Sequence, residues 1–115
     1  MSEESQQLIP ESFLALYLLP GRSKPTAARA EITQRHEFCD DLAQMLTETA
    51  RNTQWDLQVD EAEILSRVHL GLLAGEQPVV SAAEASWVAC RLAELLGWPL
   101  PPFDPRALRL PADGN

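Results

Sequence analysis

Ser81–Gly97 reads SAAEASWVACRLAELLG, and this stretch decides the fold class. Ser81 and Glu84 have the spacing of a capping box, in which the hydroxyl accepts from the N–H three residues on and the carboxylate accepts from the Ser81 N–H. Gly97 stands where a helix can close in the left-handed conformation, and Pro99 stops it from continuing. At 100° per residue, Glu84, Trp87, Arg91 and Glu94 fall on one narrow stripe. Apart from Ser86, the rest of the helix is Ala, Val, Leu and Cys. A helix so apolar wants cover over most of its circumference. A small bundle supplies little of it, so the pattern predicts a homodimer interface.

The segments before it read as helices too. Asp60 is placed as an N-cap, with Glu61 and Glu63 in the first turn, and Ile64, Leu65, Val68, Leu72 and Leu73 give a buried stripe that ends near Gly75. Residues 26–52 predict a long amphipathic helix, because Ala28, Ile32, Cys39, Leu42, Ala43, Leu46 and Ala50 share one arc, flanked and widened by Phe38 and Met45. Glu37, Asp40, Asp41, Gln44 and Glu48 take the solvent side. Pro10 and Glu11 suit the start of a short helix that ends before Pro20-Gly21. Residues 1–8 are polar and without period and read as a disordered end. Beyond Pro99 the chain is rich in proline and reads as an extended strap that packs through Leu100, Phe103, Leu108 and Leu110. The expectation is an all-α four-helix bundle of one short and three longer helices over residues 9–98. The third and fourth form an antiparallel hairpin, and residues 99–115 are a C-terminal extension lying on the bundle.

Composition narrows function mainly by exclusion. A chain of 115 residues has room for one domain. With 17 acids against 9 bases, a formal charge of −8 argues against general nucleic-acid binding. No apolar run approaches a membrane span, and the acidic start is unlike a signal peptide, so a cytoplasmic protein with two buried thiols, Cys39 and Cys90, is expected. The charge is polarised. Arg22, Lys24, Arg29 and Arg35 cluster around Glu31 alone, whereas eight acids face only Arg51 between Glu37 and Glu63.

Several residue sets could carry a function. Trp87, Arg91, Glu84 and Arg35 are candidate interface residues, since Trp and Arg dominate binding hot spots. Trp87 lies four residues before Arg91, where a cation–π pair can form; the alternative is that the C-terminal strap covers it. Arg35 sits in the apolar arc and demands a salt bridge, a snorkelling geometry or an interface. Arg22, Lys24 and Arg29 could hold an anion at a helix N-terminus, though no P-loop pattern is present. His36 and Cys39 share a helix face and could meet His69 and Cys90 around zinc, but the spacing matches no zinc-finger pattern. No catalytic residue is identified and no cofactor is expected. Asp40-Asp41 and Glu61/Glu63 read as ordinary surface charge.

Ile9-Pro-Glu-Ser-Phe13, Leu19-Pro-Gly-Arg22, Arg35-His-Glu-Phe-Cys-Asp-Asp-Leu-Ala43 and Leu92-Ala-Glu-Leu-Leu-Gly-Trp-Pro99 together resemble a small bacterial family of uncharacterised proteins, sometimes labelled ATPase with chaperone activity. These segments carry no Walker A or Walker B pattern, so the resemblance implies at most an accessory to such a machine. The resulting expectation is a non-enzymatic protein that works through protein contacts, as a homodimer or as an adaptor. A metal- or small-ligand-binding bundle is the alternative.

Overall fold

The computed structural model describes residues 9–18, 21 and 24–101. Within them Glu11–Leu14 forms a short helix, α1, that tightens into a 3₁₀ turn over Ala15–Tyr17; then come α2 (Arg29–Leu57), α3 (Glu61–Leu73) and α4 (Ala82–Leu96). Among the described residues the only sheet-like pairing is an isolated antiparallel bridge between Leu18 and Pro25. None of the described helices is long and apolar enough to cross a membrane.

The caps written in the sequence are present. Ser81 and Glu84 form the reciprocal capping box of α4, and Gly97 closes it at φ 73°. Asp60 caps α3 by accepting from the Glu63 N–H at 2.9 Å. That cap lies on the surface and touches little else, so Asp60→Ala is expected to cost about 1 kcal/mol. A urea midpoint lowered at unchanged slope is the result to look for, and an unmoved midpoint would contradict it.

Three boundaries differ from the sequence reading. The first helix gives way to a 3₁₀ turn after Leu14 rather than running to Leu19. The long helix begins at Arg29 instead of 26, because the Leu18–Pro25 bridge and a Thr26 N–H bond to the Tyr17 carbonyl hold the preceding residues in another conformation. It also runs on to Leu57, since 52–57 contain no glycine or proline, and it stops where Gln58 turns left-handed at φ 57°. Residues 1–8 and 102–115 lie outside the described residues. So do the strap contacts expected from Phe103, Leu108 and Leu110, while Leu100, the fourth expected strap anchor, is exposed rather than packed.

Packing centres on α4, which lies against α2 and α3 and, more narrowly, α1. Phe13, Ile32, Cys39, Ile64, Leu65, Val88 and Leu92 are fully buried. Two ion pairs, Arg35 with Glu84 and Arg91 with Asp40, advance together along both helices, so α2 and α4 run in the same direction. Ala50 is the last buried side chain of α2, and the helix carries on for seven residues beyond that point of the core.

Nine of the residues in α4 are buried. The sequence reading assumed that a small bundle would leave this helix uncovered. Its own chain covers it on three sides, which removes the reason for placing a second copy there.

Candidate functional site

The first half of the narrow stripe of α4, Glu84 and Trp87, faces inward, whereas Arg91 is half-buried and Glu94 is exposed. Glu84 is 5% exposed and its carboxylate collects four bonds. Arg35 donates from Nε to Oε2 at 2.9 Å and from Nη2 to Oε1 at 2.8 Å. Tyr17 donates its hydroxyl to Oε2 at 2.7 Å, and the Ser81 N–H reaches Oε1 at 2.9 Å. Arg35 Nη2 also donates to the Val79 carbonyl. A planar guanidinium fits a carboxylate in this forked geometry. One carboxylate thereby joins the 3₁₀ turn, α2 and the start of α4.

The electrostatics follow from that geometry. Burial alone would raise the Glu84 carboxyl, but the bonds from Arg35, the Ser81 N–H and Tyr17 outweigh it and hold the group at about 2. Burial and Glu84 push the Tyr17 hydroxyl well above its ordinary value. The bond to Glu84 raises Arg35. Cys39 is pushed up to about 12, chiefly by burial, which favours the neutral thiol at neutral pH.

Beside this node lies an aromatic cluster. The Trp87 ring meets Phe13 edge-on at 5.0 Å and His36 at 5.5 Å between centroids. Phe13 also meets His36 at 5.3 Å and Tyr17 at 5.6 Å. Such tilted arrangements suit ring quadrupoles. Trp87 Nε1 donates to Ser12 Oγ at 2.9 Å. Burial lowers the His36 pKa against the opposing pull of Asp40 and Glu37, which favours the neutral ring.

These contacts correct the expected interface. Trp87 is 5% exposed, and among the described residues its ring is covered by Phe13 and Ser12 of α1 and by His36 of α2. Trp87 and Glu84 are therefore interior residues, and Arg35 is committed to Glu84. Arg91 does not stack on Trp87. It bonds Asp40 at 2.7 Å and Glu94 at 3.1 Å. Asp40, assigned to the solvent side from sequence, is drawn half under cover by this bond; burial raises its carboxyl, but Arg91 and Gln44 hold it below its ordinary value. The cation–π contact that does form sets Arg35 4.9 Å from the centre of the Phe38 ring.

The four candidate metal ligands do not come together either. Among the described residues no group of three His, Cys, Asp or Glu side chains could hold a metal ion. His36 is turned into the aromatic cluster, Cys39 is in the core, and His69 lies 3.2 Å from Ser86 Oγ, so the four proposed ligands do not converge. Cys90 is buried. Lys24 and Arg29 are exposed, while Arg22 lies outside the described residues.

What is available for contact lies elsewhere. Phe38 is 40% exposed and Met45 72%, so they stand outside the buried arc that they were expected to widen. Trp55, at 77% exposed, lines a surface cleft of about 500 Å³ with Arg51, Gln54, Gln58 and Val59. A helical wheel carried past residue 52 would have singled out Trp55. Tyr17 and Asp40 gave no such signal, because their partners are distant in sequence. Comparison of the chain with protein-family models, curated proteins and solved structures finds no match.

Proposed function

We propose that this chain is a non-enzymatic protein-contact module whose outer α2 face takes a basic, apolar-anchored segment of another protein. One observation carries the reading: Phe38 and Met45 are exposed on a face whose exposed charged residues, Glu31, Asp41, Glu48 and Asp56, are all acids, and the cation beside it, the Arg35 guanidinium 4.9 Å from the centre of the Phe38 ring, is already bonded to Glu84. Glu31, Phe38, Asp41, Met45, Glu48 and Asp56 follow one another at helical spacings of three, four, seven and eight, and every one is exposed. Apolar anchors ringed by carboxylates suit a partner helix with hydrophobic anchors and a Lys/Arg flank. A second copy of the chain fits this face poorly, since like charges would oppose one another across the contact. That the partner belongs to an ATPase or chaperone system is proposed on the sequence resemblance alone.

Titration with an amphipathic Lys/Leu helical peptide, read by calorimetry, tests the reading. Binding is expected to weaken with salt. Replacing Phe38 and Met45 by serine should weaken it about tenfold or more, the loss of ~1.4 kcal/mol or above that two apolar anchors supply. Equal affinity of the double variant and the parent would overturn the proposal. A dimer in sedimentation that the same double change dissolves would put a second copy on this face instead.

A further inference from the structure

The cleft at Trp55 lies where α2 has outrun the core. It offers an indole, a guanidinium and two carboxamides. Among the described residues Arg51 makes no ion pair, although the adjoining sequence is strongly acidic.

Helix α4 points toward it. Asp40, Gln44, Arg51 and Trp55 lie on one stripe of α2, at spacings of four, seven and four. Arg91 of α4 bonds the first of them, and Gln44 bonds the same carboxylate. Because α4 runs parallel to α2, its C-terminal end lies on the side of the bundle toward which this stripe runs. From Asp40 to Trp55 is about 22 Å of helix. Arg91 to Leu96 covers about 8 Å of that, Gly97 turns left-handed, and the four residues from Trp98 to Pro101, if extended, reach up to about 14 Å more. Pro101 is buried, so the chain is still held against the body at that residue.

The next residues have the complementary chemistry. Pro102-Phe103-Asp104-Pro105-Arg106 brings proline and phenylalanine for the indole and a carboxylate for Arg51. Arg106 and Arg109 suit the carbonyl end of α2, next to Asp56 and Asp60. We propose that the Trp55 cleft is the dock for residues 102–109 of the same chain. A tethered segment meets its site at an effective concentration on the order of millimolar, which a free ligand rarely matches. This dock lies on a different stripe of α2 from the Phe38–Met45 face, and neither proposal depends on the other.

Indole N–H resonances in the full-length ¹⁵N-labelled chain test it, with Trp55→Phe assigning the Trp55 signal. Phe103→Ala and Asp104→Lys should each move that signal while leaving the Trp87 signal in place. Arg51→Glu combined with Asp104→Lys should return it toward its parental position. The parental signal should not change with protein concentration. A Trp55 signal unmoved by both single changes overturns the proposal, and so does one that shifts on dilution, which would assign the cleft to a second copy.

Discussion

Trp87→Ala is expected to lower stability by about 3–5 kcal/mol, the range for emptying a buried aromatic site. The side chain removed meets Phe13 and His36 edge-on and bonds Ser12, so its loss opens the contact between α1 and the rest of the bundle. Small domains have a net stability of about 5–15 kcal/mol, so the change consumes a large share of the total. Thermal unfolding should show a midpoint lower by well over ten degrees, at about 4–8 °C per kcal/mol for a domain of this size. An exposed anchor would behave otherwise, leaving the melting midpoint untouched and altering only association. An unchanged midpoint would therefore count against the burial of Trp87.

Glu84→Ala is the second large effect, expected to cost about 3 kcal/mol. Removing one member of a buried pair typically costs about 3–5 kcal/mol, and the lower end applies because the Arg35 side chain keeps a third of its surface in water. The loss leaves the Tyr17 hydroxyl, the Ser81 N–H and the Arg35 fork without their acceptor. Glu84→Gln retains the shape and part of the bonding and should cost about 1–2 kcal/mol. The two variants also separate on pH. The folded carboxyl, at about 2, lies below its ordinary 4.5. The stabilisation it supplies is thus complete above about pH 5 and is lost as the pH falls toward 2. Asp40, also held low by Arg91, adds in the same direction. Denaturant midpoints measured from pH 6 to pH 2 should fall less steeply for Glu84→Gln than for the parent. Parallel curves would show that Glu84 is not the group responsible.

Both predictions rest on residues whose importance the sequence flagged and whose role it could not assign. The stripe Glu84, Trp87, Arg91 and Glu94 was legible as a wheel pattern. Polarity alone suggests solvent or a partner, whereas Glu84 and Trp87 are buried against matching polar groups and only the end of the stripe, at Glu94, reaches solvent. Arg35 in an apolar arc signalled the need for a counter-charge. The partner lies 49 residues away on another helix, beyond the reach of any local rule. Hydrophobicity alone places Phe38 and Met45 at the flanks of the apolar arc. Their angular position already stood on its outer side, and the tertiary packing left them exposed.

The sequence by itself determined the all-helical class, the Ser81–Glu84 and Asp60 caps, the stop at Gly97 and the buried stripes of three helices. Those features arise from hydrogen bonds and periodicities within a few residues, where the chain is its own context. Only the tertiary structure decided which polar groups meet, that α1 closes over Trp87, and that α2 outruns the core to present Trp55. Those outcomes depend on how helices pack across long sequence separations, where burial and charge pairing are settled together.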